Sequence, residues 1–299
     1  MHRFEGIWIP LVTPFAADRV DHAALRRLVA PLVRAQVAGF VVCGSTGEAG
    51  ALEGEEPVDV LRSVVDAAGG LPVVMGVSAV TPREAIGQMR RCAGVPLAGF
   101  LVTAPPYVRP SQRGVHDFFV AVADAAPAPL VLYDIPARTG VRIETATMLA
   151  LAAHANIAAV KDCSGDADHV EALLADGRLQ VLAGDDHRMF ATLCAGGVGA
   201  VAASAHLRPD LFVALQRQIA AGALHEARAT WRLLWPLTKA LFDEPNPAPV
   251  KAALAAAGQL EDGLRAPMAA ASAANRAQVQ ALLASINATR PAPSSATRR

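Results

Sequence analysis

Short apolar runs recur along the chain at nearly even intervals. Within each run consecutive positions are apolar, and many of the residues are β-branched. This pattern is typical of parallel strands that are buried on both faces. The predicted strands are Ile7–Val12, Gly39–Cys43, Pro72–Val77, Gly99–Val102, Leu130–Tyr133, Ile157–Lys161, Gln180–Ala183 and Val198–Ala203.

Amphipathic segments separate these strands. Asp21–Val37 and Pro82–Cys92, for example, carry apolar residues at helical spacing. Asp21, Thr81 and Asp166 stand where helix-capping side chains are expected. Strand and helix alternate eight times, which predicts an α/β fold of the (β/α)8 TIM-barrel type. An open, doubly wound sheet is the alternative that this pattern leaves.

The barrel is expected to be followed by a second part that contains helices only. We predict a catalytic barrel over residues 1–223 and a C-terminal helical extension over residues 224–289. Residues 290–299 are polar and rich in proline, so we expect a disordered tail there. The predicted helices of the extension are Leu224–Ala240, Pro249–Ala257 and Ala266–Ile286.

Composition narrows the class of partner. The 27 basic residues are balanced by 27 acidic ones, so no basic face for nucleic acid is expected. No apolar run approaches the roughly 18 residues that would span a bilayer, and the N-terminus does not have the form of a signal peptide. The four cysteines are scattered without CxxC pairs, which is typical of reduced thiols. We therefore expect a cytoplasmic protein that acts on small molecules.

Lysine is rare in this chain, with three lysines against 24 arginines. One of the three, Lys161, ends the apolar segment that begins at Ile157. Burial of an ammonium group is costly unless it is paired or neutral, and desolvation lowers its pKa towards that of a nucleophilic amine. The alternative is a hydrated lysine beyond the strand end that pairs with Asp162.

Hydroxyl groups follow other strand ends, where a barrel of this type forms its active site. The turn Gly44–Glu48 places Ser45 and Thr46 between two glycines, and such a turn directs N–H and hydroxyl donors at a carboxylate. The chain has two tyrosines, Tyr107 and Tyr133, and both follow or end predicted strands. A tyrosine there can carry protons. The alternatives are an ordinary glycine-containing turn and packing of the two rings at the barrel rim.

A guanidinium and the histidines complete the list of candidate groups. Arg138 lies five residues after Tyr133 and could hold a second carboxylate through two hydrogen bonds. A solvated loop charge is its alternative role. None of the eight histidines has the spacing of a known metal-binding motif, so no metal site is expected.

Three segments together resemble the dihydrodipicolinate synthase / N-acetylneuraminate lyase family. Gly44–Glu48 is similar to the GxTGE turn of that family, Tyr133–Pro136 to its Y-[ND]-x-P segment, and Val160–Asp162 to its K-[DE] strand end. The resemblance extends from about Gly6 to Met268. Asp134 and Asp162 replace the asparagine and glutamate of the best-known synthases.

Further segments resemble the synthase branch of the family. They are Tyr107–Gln112, Pro136–Gly140 and Glu244–Lys251. The resemblance implies a lyase of the class I aldolase type, without a cofactor other than the covalent imine. It would condense pyruvate with L-aspartate-4-semialdehyde to give 4-hydroxy-tetrahydrodipicolinate in lysine biosynthesis. A pyruvate-dependent aldolase or dehydratase for another hydroxylated 2-oxo acid is the alternative, and a catalytically silent binding barrel is a third hypothesis.

The resemblance also assigns a role to each candidate residue. Lys161 would form the imine with pyruvate, and Tyr133 would move protons through a relay that includes Ser45 and Tyr107. The other expected contacts are those of Thr46 and Ser45 with the pyruvate carboxylate, of Val201 against the bound pyruvate, and of Arg138 with the carboxylate of the aldehyde. In the family the residue at Tyr107 reaches the neighbouring subunit, which implies a dimer as the minimal active unit and a homotetramer as the usual assembly.

Overall fold

The computed structural model describes residues 3–289 of the chain. The predicted tail, residues 290–299, lies outside the described residues. The strands are β1 Gly6–Pro10, β2 Phe15–Ala16, β3 Arg19–Val20, β4 Gly39–Val42, β5 Val73–Val77, β6 Gly99–Thr103, β7 Leu130–Asp134, β8 Ile157–Asp162, β9 Gln180–Ala183 and β10 Gly199–Val201. The helices are α1 His22–Arg34, α2 Glu56–Ala67, α3 Pro82–Arg91, α4 Gln112–Ala125, α5 Pro136–Thr139, α6 Thr145–Leu151, α7 Ala167–Asp176, α8 Met189–Ala195, α9 Pro209–Ala220, α10 Leu224–Ala240, α11 Ala248–Ala256 and α12 Ala273–Ala288.

Eight of the strands close into a parallel barrel. Their order is β1-β10-β9-β8-β7-β6-β5-β4, and β4 pairs with β1 to complete the ring. The closure confirms the predicted (β/α)8 TIM barrel and excludes the open sheet. The remaining strands, β2 and β3, form a small antiparallel hairpin between β1 and α1 that the apolar pattern did not predict.

The predicted caps are present at the starts of three barrel helices. The side chains of Asp21, Thr81 and Asp166 each accept a hydrogen bond from the backbone N–H three residues further on. Such bonds satisfy donors that the first turn of a helix leaves free. They also fix where α1, α3 and α7 begin.

Side chains alternate between the two faces of each barrel strand. One set fills the barrel interior and includes Trp8, Val41, Val74, Leu101, Val131, Tyr133, Leu182 and Val201. The opposite face packs against the helices in the main core cluster. Because Tyr133 belongs to the interior set, its neighbour Asp134 faces the helical layer.

The C-terminal extension packs on the barrel. Leu237 of α10 and Val250 and Leu254 of α11 share a buried cluster with Val12 and Leu28. The last helix begins seven residues later than predicted, at residue 273 instead of 266. Ser272 caps α12 by accepting from the backbone N–H of Asn275, which fixes where the helix begins. The boundary at residues 223/224 stays a prediction.

Among the described residues, no helix has the length and apolarity that a membrane span requires.

Candidate active site

A cleft of about 600 Å³ opens at the carboxyl ends of the barrel strands. Ser45, Tyr133 and Arg138 line it, together with Asn246 and Met268 of the extension. The cleft therefore lies where this fold places its active sites. Its wall is built by both the barrel and the helical part.

Lys161 lies beside this cleft at the end of β8. Strands β7 and β8 pair with Tyr133 opposite Lys161, and the lysine Nζ stands 4.1 Å from the centre of the tyrosine ring. The residue is only 6% exposed and forms no ion pair within residues 3–289. Asp162 follows it on the strand and so faces the helices. The alternative of a hydrated lysine paired with Asp162 is therefore wrong.

The pKa of Lys161 is set by two opposed influences. Burial is the largest and lowers it, but the neighbouring Tyr133 and Cys163 raise it, and the balance lies above the ordinary lysine value. Burial thus acts in the expected direction, but the expected net lowering of this pKa is wrong. Burial also raises the pKa of Tyr133, although Lys161 partly offsets this.

The turn after β4 brings Ser45 to the same phenol. Lys161 and Ser45 both lie close enough to the Tyr133 phenol to lower its pKa, against the larger effect of burial. The turn is compact, since residues 45–47 form a single 3-10 turn and Cys43 and Glu48 on either side adopt left-handed backbone angles. Three predicted side chains, from three different strand ends, are thereby placed together.

Thr46 and Arg138 are connected to the extension through Asn246. The Asn246 side-chain amide donates to Thr46 Oγ1 at 2.9 Å, and Arg138 donates to the Asn246 carbonyl over 3.5 Å. Thr46 is buried, whereas the Arg138 side chain is exposed at the cleft. Because Thr46 Oγ1 accepts from Asn246, its own hydroxyl proton stays available to a ligand.

Tyr107 and Val201 lie in contrasting surroundings. Val201 is buried in the barrel interior with Tyr133. Tyr107 follows β6 in a left-handed conformation (φ 73°) and is 91% exposed, and its backbone N–H donates to the Thr139 carbonyl. Within a single chain its phenol does not join the Lys161–Tyr133–Ser45 group.

A second buried lysine was missed by the sequence analysis. Lys251 of α11 forms an ion pair of 2.7 Å with Glu48, the last residue of the Ser45 turn. The ammonium also donates to the Thr13 carbonyl at 2.8 Å. Burial is the main reason why the pKa of Lys251 lies below its usual value. The occurrence of a lysine in the apolar helical segment Pro249–Ala257 was the signal that could have revealed it.

One group in the described part of the chain has donors that suit a metal ion. Asp134, Asp162 and His169 each offer one ligand atom, and these atoms lie within 4.8 Å of one another. The histidine spacing gave no sign of the group because its members come from three separate elements. It lies on the helix side of β7 and β8, opposite the face that carries Tyr133 and Lys161.

Comparison with known proteins agrees with this architecture. A family model described as the dihydrodipicolinate synthetase family matches residues 3–286. The 4-hydroxy-tetrahydrodipicolinate synthase of Trichlorobacter lovleyi is 37% identical over 284 residues, which cover 94% of this chain and 98% of that protein. The protein of the same name from Sorangium cellulosum is 38% identical over 293 residues, or 96% and 97% of the two chains.

Solved structures give the same result. The dihydrodipicolinate synthase of Aquifex aeolicus superposes with a TM-score of 0.92 at 32% identity, covering 95% of this chain and 98% of that one. The 4-hydroxy-tetrahydrodipicolinate synthase of Methylacidiphilum fumariolicum gives a TM-score of 0.93 at 31% identity, covering 96% and 97%. The chain belongs to the dihydrodipicolinate synthetase family.

Proposed function

We propose that this protein is a 4-hydroxy-tetrahydrodipicolinate synthase, a lyase that condenses pyruvate with L-aspartate-4-semialdehyde through an imine on Lys161. The observation that carries the proposal is the buried Lys161 amine, held 4.1 Å from the ring of Tyr133, which lines the cleft. A lysine in contact with a proton carrier is the arrangement that imine formation needs.

Imine formation begins when Lys161 loses a proton. The neutral amine attacks the ketone carbon of pyruvate, and the resulting carbinolamine loses water to give the imine. Tyr133 is placed to donate the proton that the departing hydroxyl needs, and Ser45 connects its phenol to the cleft. The protonated imine then withdraws electrons from the neighbouring methyl group, so the reaction needs no external cofactor.

The turn at Ser45 and Thr46 is the proposed site of the pyruvate carboxylate. Ser45 lines the cleft, and the Thr46 hydroxyl keeps a free proton because its oxygen accepts from Asn246. Val201 is placed in the barrel interior beside Tyr133 and offers an apolar wall to the bound pyruvate. Together these groups fix the orientation of the ketone towards Lys161.

Arg138 is the proposed binding group for the acceptor aldehyde. Loss of a methyl proton converts the imine into an enamine, which adds to the aldehyde carbon. The amino group of the semialdehyde then displaces Lys161 and closes the ring. The exposed guanidinium at the cleft is suited to hold the acceptor carboxylate by two charge-assisted hydrogen bonds.

The complete site is proposed to need a second copy of the chain. Tyr107 is 91% exposed and too isolated to serve its own subunit, which supports a role in a neighbouring site. We infer a dimer as the minimal active unit and a homotetramer as the assembly. Mixing inactive Tyr107→Phe and Lys161→Ala subunits should restore activity in hybrids; confirmed hybrids without activity would contradict the shared site.

The cytoplasmic location stays a prediction.

A coupled assay tests the proposed reaction. Purified protein is supplied with pyruvate and L-aspartate-4-semialdehyde, and formation of the cyclic product is followed through a reductase that consumes it. Arg138→Ala should raise the KM for the semialdehyde far more than that for pyruvate, because only the acceptor loses its charged partner. Pyruvate binding without turnover of the semialdehyde would instead favour another hydroxylated 2-oxo acid chemistry.

A further inference from the structure

Three buried polar side chains meet behind the active site. Asp134 ends β7, Asp162 ends β8, and His169 lies in the first turn of α7. The strand register places Asp134 opposite Asp162, and α7 brings the imidazole over them. One ligand atom of each residue lies within 4.8 Å of the other two, and all three residues are more than nine-tenths buried.

Two polar atoms of this group have no partner. Asp134 Oδ2 and His169 Nε2 are buried without a hydrogen bond to any described residue. The other polar atoms of both side chains are occupied: Asp134 Oδ1 accepts from the Ile143 N–H at 3.1 Å, and His169 Nδ1 lies 2.8 Å from Thr145 Oγ1. Unpaired buried polar atoms are rare in native proteins, and a bound ion is one of the partners that would satisfy them.

The charge of the group is also uncompensated. Arg142 acts on it electrostatically but makes its 2.9 Å ion pair with Asp166. A bound cation would stabilise two adjacent carboxylates here.

We propose that Asp134, Asp162 and His169 bind one divalent transition-metal ion, with Zn²⁺ and Mn²⁺ as the best-matched ions. Two carboxylate oxygens and one imidazole nitrogen are donors that such ions accept. Bonds of about 2.0–2.2 Å in tetrahedral geometry place ligand atoms about 3.3–3.6 Å from each other, so the side chains would move inward to complete the site. Thr145 orients the ring through its hydrogen bond to the other nitrogen, as the hydrogen-bond partners of metal-bound histidines do.

The ion would position the strand ends that carry the reactive residues and would not contact the substrate. Tyr133 and Lys161 immediately precede Asp134 and Asp162, and their side chains point to the opposite face of the same strand ends. An ion shared by these two strands and α7 would therefore hold the two ends that carry the reactive pair. The proposal does not depend on the reaction, because binding is measured directly.

The test is a metal titration of the untagged, full-length protein after treatment with a chelator. ZnCl2 and MnCl2 are each added while heat is recorded, and the metal content after gel filtration is measured by mass spectrometry. We expect one ion per chain and a higher Tm with metal. Asp162→Asn and His169→Gln should each weaken binding by at least about 100-fold, and Thr145→Val by about 10- to 100-fold.

A matched control separates this site from surface binding. His154 forms a 3.0 Å pair with Asp124 at the surface, and His154→Gln should bind metal as the unaltered protein does. Equal binding by His169→Gln and His154→Gln, or no binding by the unaltered protein, would overturn the proposal. Asp134→Asn covers the competing explanation of a proton shared by the two carboxyls. The Tm and metal content of Asp134→Asn are compared with those of the unaltered protein after metal addition. If neither protein binds metal and both have the same Tm, the shared proton is correct and the metal site is wrong.

Discussion

Two of the three lysines are buried, and they differ in what surrounds the ammonium group. Both stand over an aromatic ring, Lys161 at 4.1 Å from Tyr133 and Lys251 at 4.5 Å from Phe15. Lys251 is fully buried and paired with the Glu48 carboxylate at 2.7 Å. Lys161 keeps a small exposed fraction and stands against a phenol, while the buried Asp186 carboxylate acts on it electrostatically without an ion pair.

The difference shows that burial alone does not identify a nucleophilic lysine. Deprotonation of Lys251 would leave Glu48 as a buried charge without a partner, so its ammonium is a structural group. Lys161 has no direct ion pair among residues 3–289 that loss of its proton would break, and Tyr133 is a group that can exchange protons with it. The two lysines are connected, since Lys251 anchors the turn that presents Ser45 to Tyr133.

Replacement of Lys161 should have the largest effect on activity. Lys161→Met removes the nucleophile, so condensation of pyruvate should fall below detection. The Tm should stay equal or rise, because a buried ammonium without a carboxylate partner is lost. The coupled assay and thermal unfolding check both parts. Measurable turnover by this variant would mean that another group forms the imine.

Loss of the Tyr133 hydroxyl should reduce the rate but not the fold. Tyr133→Phe removes the atom that connects Lys161 to Ser45 and keeps the ring beneath the amine. We expect kcat to fall by about 10²- to 10⁴-fold, as for loss of a proton carrier, with a smaller change in the KM for pyruvate. Steady-state kinetics measures this split. An unchanged kcat would remove Tyr133 from the proton path.

Replacement of Lys251 should chiefly affect stability. Lys251→Met leaves Glu48 buried and unpaired, and should lower the free energy of unfolding by about 3–5 kcal/mol. The double variant Lys251→Met/Glu48→Gln should recover a large part of that loss. A double-mutant cycle by denaturant unfolding measures the coupling. Additive losses would show that the two groups do not stabilise each other.

The pH dependence of imine formation sharpens the contrast further. The pKa of Lys161 is raised, so the ammonium form dominates below the ordinary lysine value and the reactive amine is scarce. Each unit of pH should therefore increase the amine fraction, and the initial rate, about tenfold between pH 7 and 9. Rapid mixing with pyruvate measures that rate. If the rate instead stopped rising below pH 8, the pKa of Lys161 would be lowered, which would contradict the raised pKa.

The fold could be predicted because its signal is repeated and local. Each barrel strand is buried on both faces, so an apolar run marks it, and the observed ends lie within two residues of the predicted ones. Hairpin β2–β3 has only two residues in each strand and leaves no such run. The start of α12 was wrong because helical periodicity extends back to residue 266, whereas the helix begins at residue 273, behind the capping side chain of Ser272.

The candidate site could be predicted only where residues follow strand ends. Ser45, Tyr133 and Lys161 were expected together on that ground, and the structure brings them together. The Lys251–Glu48 pair spans 203 positions, and the Asp134–Asp162–His169 group joins two strands and a helix, so neither has a local pattern. The raised pKa of Lys161 was missed because it depends on charges from three other positions.

Trapping of the imine tests the central claim most directly. Protein is incubated with pyruvate, reduced with borohydride, digested, and examined by peptide mass spectrometry. We predict a reduced three-carbon adduct on Lys161 and complete loss of activity, with Lys251 and Lys239 unmodified. An adduct on either of those lysines, or no pyruvate-dependent adduct, would contradict the account.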